Sequence, residues 1–335
     1  MDPGRGGARH ANGGLWRWGA VALAAVVPFL PPIDHALSPP ALAPAPTRSY
    51  YEKTTNWKVL YGQGVRAGRV ASQGLVILQF GRPAQAHGVL GTISFGGHFV
   101  RLASVEAAAE SYIAGYFATA PAGMTLDVAI GTNNSCSAGS LCYGVLCGCK
   151  DEPASYYLWG EYFARAVEAV GYWATSERAL HRYTDLVQVV AADDAEPSFD
   201  PAFTHTHDVL AGYAAAVEGS RPAMVDDGSA EPSYWSEDEL LQVAYGFAPD
   251  VPMPQVYYRA QAREWAQLIK YARTRYGRHV RIFGVLAQHG AGAFAPSTAY
   301  ALMRATLAGE RDSSPIVWLS VIDALPVPRG VPPLL

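Results

Sequence analysis

The chain has 335 residues, of which 50% are apolar and only 16% charged, with a net charge of −4. This composition is that of a globular protein with a large core, and it excludes a disordered chain. Since no run of lysine or arginine occurs, a nucleic-acid partner is excluded as well.

The first predicted element is an export signal with a spacer behind it. The Gly-rich, basic opening MDPGRGGARHANGGLWRW precedes an apolar run, GAVALAAVVPFL, in the order of a secretory signal. This run is shorter than the roughly 20 residues that span a bilayer. We therefore predict that residues 1–46 are a signal and a Pro/Ala-rich linker, and that the protein is secreted or extracytoplasmic. Because Pro44 and Pro46 weaken the cleavage pattern, an uncleaved N-terminal membrane anchor stays open.

After residue 70, short apolar runs alternate with stretches that have helical spacing. Such alternation indicates a parallel sheet that is buried on both faces. The predicted strands are 74–81, 124–132, 185–192, 222–228, 254–258, 279–288 and 315–323. The predicted helices are 105–118, 156–174, 207–218, 237–246, 262–277 and 297–309.

Two architectures fit this alternation, an open doubly wound sheet and a closed (β/α)8 barrel. The segment 80–99 contains glycines but not the G-x-G-x-x-G turn of a dinucleotide-binding sheet. Polar residues instead follow strand after strand, which is typical of the active-site face of a TIM barrel. We predict an α/β fold of the (β/α)8 TIM-like class over residues 47–330, with the missing strand within residues 50–70 (NWKVLYGQ).

All the cysteines lie in one stretch, CSAGSLCYGVLCGC. Four thiolates could bind zinc, but zinc sites usually pair their cysteines as C-x2-C, and the spacing here differs. In an exported chain an even cysteine count favours disulfides. We predict two disulfides, of unknown pairing, among Cys136, Cys142, Cys147 and Cys149.

The stretch VVAADDAEPSFDP (189–201) ends an apolar strand in three carboxylates. Since alternate residues of a strand share a face, Asp194 and Glu196 follow Ala192 on one face and Asp193 lies on the other. Pro197 keeps Glu196 in extended geometry. Two carboxyls on one face raise the pKa of one another, and this is what a general acid needs. We predict that Asp194 and Glu196 rise together into the mouth of the barrel.

A second acidic stretch, DDGSAEPSYW (226–235), echoes the first one βα unit later. It would bring Asp226 and Asp227 to the same rim as Asp194 and Glu196. An acid with a second carboxylate across a cleft is the arrangement used in glycoside hydrolysis. We predict these four residues as catalytic; the alternative is that each acidic stretch only caps the helix that follows it.

Polar and aromatic residues at other strand ends are predicted to bind sugar. These are Gln79, Asn133, Asn134, Tyr234, Trp235, Tyr257 and Gln288. In THTHD (204–208), His205 and His207 could ligate a metal, but no second histidine motif supports them. Thr206 is predicted to cap the next helix. We predict no metal and no cofactor.

Four segments, GTISFGGHFV, LDVAIGTNNS, VVAADDAEPSF and PQVYY, resemble a group of secreted, mostly uncharacterised bacterial proteins with a glycoside-hydrolase-like TIM barrel. The resemblance spans most of the chain after residue 70. The D-x-E sequence also resembles the acid motif of chitinase-like and lysozyme-like barrels, which implies Glu196 as proton donor and Asp194 as its orienting neighbour. In the group a Glu often stands where this chain has Gln255, at a possible nucleophile position.

Together these features predict an exported glycoside hydrolase that acts on polysaccharide or cell-wall glycan. The alternative is a barrel without catalytic activity that binds carbohydrate or serves as a surface interaction domain.

Overall fold

The computed structural model describes residues 43–71, 73–135, 151–176, 183, 185–217, 223–247, 250–290, 292–310 and 316–324, together with the backbone of 141–142 and 145–146. The strands in these ranges are β1 (Thr47–Tyr51), β2 (Leu75–Gln79), β3 (Arg82–Ala86), β4 (Val89–Ile93), β5 (Phe99–Arg101), β6 (Leu126–Asn133), β7 (Leu141–Cys142), β8 (Val145–Leu146), β9 (Val187–Asp194), β10 (Met224–Asp226), β11 (Asp250–Pro252), β12 (Gly284–His289) and β13 (Trp318–Asp323). The helices are α1 (Trp57–Val70), α2 (Leu102–Phe117), α3 (Tyr156–Thr175), α4 (Phe203–Ala216), α5 (Glu237–Tyr245), α6 (Arg259–Tyr276) and α7 (Pro296–Gly309).

Eight strands form one curled sheet in the order β11-β10-β9-β6-β2-β1-β13-β12, and every neighbouring pair is parallel. The predicted α/β class with a parallel sheet is therefore confirmed. From β1 to β11 the strands follow chain order, and β13 and then β12 lie on the other side of β1. The residues just after β11 also bond to β12, because the N–H of Leu286 donates to the carbonyl of Pro254 at 2.9 Å and the N–H of Val256 donates to that of Leu286 at 2.9 Å.

The sheet separates two apolar clusters, as expected for strands that are buried on both faces. One cluster lies on the inner face of the curl and includes Ile77, Val190 and Val225. The other lies between the sheet and the helices and includes Ala191 and Met224. Neighbouring residues of β9 and β10 thus point to opposite faces, and this alternation decides where the acidic residues that end these strands are placed.

The predicted position of the first strand is wrong. β1 occupies Thr47–Tyr51, whereas NWKVLYGQ (56–63) belongs to the start of α1. The side chain of Asn56 caps this helix by accepting the N–H of Lys58 at 3.0 Å. β1 lacks the apolar signature of a buried strand because its residues Thr47 and Ser49 are polar and yet 0% and 1% exposed.

Two further segments differ from the predicted pattern. The run 254–258, predicted as a strand, is not one. The short strand β11 ends two residues before it, and prolines at 252 and 254 restrict strand pairing there. The segment 81–101, predicted as a connection, forms an antiparallel sheet in the order β3-β4-β5. Its first hairpin turns at His87 and Gly88, which both have positive φ as a type I′ turn requires.

Glycines let two pairs of helices approach at backbone distance. A Cβ atom on Gly64 of α1 would stand 2.0 Å from the carbonyl oxygen of Tyr112 in α2. A Cβ atom on Gly212 of α4 would stand 1.9 Å from the carbonyl oxygen of Tyr157 in α3. Backbone atoms cannot swing away as the end of a side chain can, so these positions exclude every larger residue.

We expect Gly64→Ala to lower the free energy of unfolding by about 1–3 kcal/mol, the usual cost of overpacking a core. Gly62→Ala in the same helix is the matched control, because its Cβ would meet nothing closer than the end of Arg66 at 3.7 Å. That change should stabilise the protein by up to about 1 kcal/mol, since alanine is the better helix former. Urea unfolding of both variants measures the difference. Equal stabilities would contradict the close packing of α1 on α2.

Within the described part of the chain, no helix is both long and apolar enough to cross a membrane. The predicted signal segment and the apolar run within residues 1–42 lie outside the described residues.

Candidate functional site

Two aspartates from neighbouring strands lie at the inner face of the sheet, at the carboxyl ends of the strands. Asp194 ends β9 two residues after Ala192, which belongs to the inner cluster. Asp227 comes directly after β10, two residues after the inner Val225. The two side chains are only 2% and 1% exposed. Charges in such a dry place repel each other strongly, so the carboxyls behave as one titrating group.

Each of these aspartates is held by the amide of a buried glutamine. The Nε2 atom of Gln79, at the end of β2, donates to both carboxylate oxygens of Asp227, at 3.1 and 3.0 Å. The Nε2 atom of Gln255 donates to Oδ1 of Asp194. Both glutamines are at most 1% exposed, and their Oε1 atoms have no hydrogen-bond partner among the described residues. The N–H groups therefore orient the carboxylates and favour their charged form.

Glu196 completes the inner group and is its partly buried member. Ser198 lies 3.4 Å from its Oε2 and donates to it. The main chain of Glu196 is bound by the side chain of Asn134, whose Oδ1 accepts its N–H at 2.9 Å. We use the name inner carboxyl group for Asp194, Glu196 and Asp227.

Burial raises the pKa of every member of the inner carboxyl group. The pKa of Glu196 rises to about 7, because burial outweighs the hydrogen bonds from Gln255 and Ser198. Burial raises the pKa of Asp227 to about 8 against the hydrogen bond from Gln79. For Asp194, burial and then the charge of Glu196 raise the pKa well above its ordinary value. The group therefore holds protons near neutral pH, and such a proton is available to an acid catalyst.

Asp226 ends β10 at the same rim but on the opposite face of the sheet from the inner carboxyl group, and its charge still contributes to the raised pKa of Asp194. Asp226 lies opposite Asp193 in the strand register, and both follow outward-facing neighbours, Met224 and Ala191. Burial raises the pKa of Asp226 to about 7, partly offset by its bond from the N–H of Gly228. The alternation along β10 that turns Asp227 inward is what turns Asp226 outward.

The predicted catalytic carboxyls do not cap the helices that follow them, although Asp200, later in the first stretch, accepts the N–H of Ala202 at 2.8 Å. α5 is capped by Ser236, in a reciprocal pair of bonds with Glu239. α4 has Ala202 at its N-cap position, without a side-chain cap. Thr206, predicted as that cap, lies inside α4, where its Oγ1 accepts a hydrogen bond from Asn134 at 3.1 Å.

The predicted sugar-binding residues lie in different environments. Tyr257 belongs to the inner cluster and is 7% exposed. Trp235 is buried in the core under the helices, where its indole N–H donates to the carbonyl of Asp200 at 2.9 Å, so the structure gives it a packing role. Tyr234 is 55% exposed, and Gln288 is partly buried near the end of β12. Asn133 is 2% exposed, and its Oδ1 accepts hydrogen bonds from the N–H and the hydroxyl of Ser135.

Two residues of the site escaped prediction for identifiable reasons. Tyr51 packs against the inner cluster, and its pKa is raised first by burial and then by the charges of Asp194 and Glu196. It was missed because its strand, β1, was missed. Gly131 provides the room for Gln79, since a Cβ atom there would stand 2.6 Å from the Cδ atom of that glutamine. The sequence carries no signal for this contact between neighbouring strands.

The two histidines of THTHD have separate surroundings. His205 bonds to Asp200 at 3.0 Å and stacks on Tyr156, with ring centres 4.5 Å apart. His207 bonds to Asp208 at 3.1 Å. Among the residues that the structure describes, no group of three or more His, Cys, Asp or Glu side chains is arranged to hold a metal ion.

The predicted disulfides involve Cys136, Cys142, Cys147 and Cys149, whose side chains lie outside the described residues.

Comparison of the chain with models of known protein families and with curated proteins finds no match. The chemistry of the inner carboxyl group is thus the basis for assigning a function.

Proposed function

We propose that the protein is an exported glycoside hydrolase that acts on polysaccharide or cell-wall glycan, with Glu196 as the general acid. The observation that carries the proposal is the inner carboxyl group. It combines a partly buried glutamate whose pKa is about 7 with two neighbouring carboxyls that glutamine amides orient.

Glycoside hydrolysis needs a proton donor on one side of the scissile bond and a carboxylate as nucleophile or base on the other. Glu196 is the partly buried member of the group, so it can approach the glycosidic oxygen and deliver its proton there. Asp227 is the partner carboxylate, which two contacts from the Gln79 amide orient. Its pKa of about 8 lies above the pKa of about 7 of Glu196, so the active form, with the proton on Glu196 and the charge on Asp227, is one of several that share the protons of the group. Repulsion between the charges of Asp194 and Glu196 disfavours ionising both, so the two carboxyls together retain a proton.

We further propose that the curled sheet closes as a (β/α)8 barrel of the TIM type. The strand order follows the chain, and the hydrogen bonds between Leu286 and the residues around Gln255 join the two edge strands. In such barrels the active site lies at the carboxyl ends of the strands, and the inner carboxyl group lies at these ends.

The proposal that the protein is exported is supported by the order of the basic and apolar segments before residue 46.

A second candidate function is a barrel that binds carbohydrate without cleaving it. Two observations favour it. Asp194 and Asp227 are almost completely shielded from solvent, which leaves little access to a substrate. An uncharged amide, Gln255, stands beside Asp194, at the position where the resembled group often has a carboxylate.

The two candidates separate in one experiment on the full chain. We expect purified protein to release reducing ends from at least one of a set of neutral polysaccharides and peptidoglycan, fastest between about pH 7 and pH 8, where Glu196 can hold a proton while Asp227 loses its own. Affinity for the same glycans is measured in parallel by co-sedimentation. Binding without release of reducing ends would support the second candidate, and neither binding nor release would overturn both.

A further inference from the structure

Asn134 stands between the end of β6 and the loop that carries Glu196. We propose that Asn134 is a positioning residue that fixes the main chain of Glu196, and with it the direction of the carboxyl, and that it does not bind the glycan. The inference rests on the proposed role of Glu196 as the acid.

The side-chain amide of Asn134 pairs with both main-chain groups of Glu196. Its Oδ1 accepts the N–H of Glu196 at 2.9 Å, and its Nδ2 donates to the carbonyl of Glu196 at 3.0 Å. The N–H and the carbonyl of Glu196 belong to the two peptide groups on either side of its Cα atom, so these two bonds fix both peptide groups and with them the direction of the side chain. A single hydrogen bond would leave one of these free.

This pairing begins where the sheet ends. The ladder between β6 and β9 stops at the partners Asn133 and Asp194. Beyond that point the segments that follow β6 and β9 no longer form the main-chain hydrogen bonds of the ladder. The side-chain amide of Asn134 instead makes the hydrogen bonds to Glu196 that a further paired residue would make. Glu196 therefore keeps an ordered main chain two residues past the last paired residue, Asp194.

Asn134 has no N–H left for a sugar. A side-chain amide offers two N–H donors. In this structure one points to the carbonyl of Glu196 and the other to Oγ1 of Thr206, at 3.1 Å. Thr206 is 2% exposed and belongs to α4, so the amide is braced against a helix as well as against the loop. These contacts account for the residue without the sugar-binding role that its place in the sequence predicts.

The test follows two properties of Glu196 in the full-length protein by NMR: the exchange rate of its main-chain N–H and the titration of its carboxyl. We expect Asn134→Ala to speed the exchange about tenfold, because one net hydrogen bond is lost. The same change should move the titration to lower pH, since a loosened side chain gains water. Asn134→Asp keeps the acceptor for the N–H, so it should restore the slow exchange. Its added negative charge should move the titration to higher pH.

Asn56→Ala is the matched control. It also removes an asparagine oxygen that accepts a main-chain N–H, that of Lys58 at 3.0 Å, but it does so at the start of α1. Exchange and titration of Glu196 should stay as in the wild type. If Asn134→Ala and Asn56→Ala behave alike at Glu196, the positioning role is overturned.

The hydrolytic readout is separate from these two measurements. If the protein cleaves a glycan, the high-pH limb of kcat/KM should move with the titration of Glu196 in both Asn134 variants. If it cleaves none, the proposed function fails, while exchange and titration still decide whether Asn134 fixes Glu196.

Discussion

Glu196→Gln is expected to lower the rate of glycan hydrolysis by about 10²–10⁴-fold, the usual contribution of general acid catalysis, with little change in the fold. Glutamine has nearly the same shape, but it cannot give a proton to the leaving group. The loss should be much smaller on an aryl glycoside whose leaving group departs without protonation. Asp227→Asn should be slow on both kinds of substrate, because a nucleophile or base is needed in either case.

The matched control is Glu237→Gln, the same replacement at an exposed position in the first turn of α5. It should hydrolyse both substrates at the wild-type rate. Steady-state assays on a natural glycan and on an activated aryl glycoside measure these differences. An unchanged rate for Glu196→Gln on the natural glycan would remove Glu196 from the mechanism.

The free energy of unfolding is expected to fall as the pH rises from about 5 to about 8. In the unfolded chain, aspartate and glutamate lose their protons near pH 4, whereas in the folded protein burial raises the pKa of Asp226 to about 7 and that of Asp227 to about 8. Between these values the folded state binds more protons than the unfolded state, so stability decreases with pH. This stabilisation is complete below pH 4 and is lost as the pH passes through 7 and 8.

The effect is large, because the pKa of about 7 for Asp226 makes stability fall by about 1.4 kcal/mol for each pH unit between pH 5 and pH 7, about 3 kcal/mol in all. Urea unfolding at pH 5 and pH 8 measures it. Asp226→Asn removes one such group outside the inner carboxyl group, so the stability of this variant should depend less on pH. Asp208→Asn, at a side chain that is 51% exposed, should leave the dependence unchanged. A stability that is the same at pH 5 and pH 8 in the wild type would contradict the burial of protonated carboxyls.

The sequence predicts strands well where both faces of the sheet are apolar. β2, β6 and β9 are continuous apolar runs because they are covered on one side by helices and on the other by the inner cluster. β1 breaks this rule, since its inner residues Thr47 and Ser49 satisfy their hydroxyls with Ser320 of β13. Hydrophobic patterns cannot show a polar contact that forms only after the chain has folded, so this strand was placed in the wrong segment.

For the site, alternation along β9 correctly predicts that Asp194 and Asp193 lie on opposite faces. The same alternation along β10 places Asp227 and Asp226 on opposite faces. The similarity between the two acidic stretches concealed this difference, because it suggested that both aspartates share one role. The roles of Gln79 and Asn134 were beyond prediction, because each depends on a neighbouring loop or strand. Their partners are 148 and 62 residues away in the sequence, a separation at which no periodicity carries information.

The pairing of β1 with β13 has a consequence for how the protein folds during its synthesis. Thr47 and Ser320 meet at 3.1 Å across 273 residues of chain, so β1 gains its second neighbour only after Ser320 has left the ribosome. Domains whose contacts are mostly between successive segments can fold during synthesis, but a contact between the first and last strands has to wait. Until then the buried hydroxyls of β1 remain open to water. A nascent chain is thus kept from completing its sheet until the end of β13 has been made.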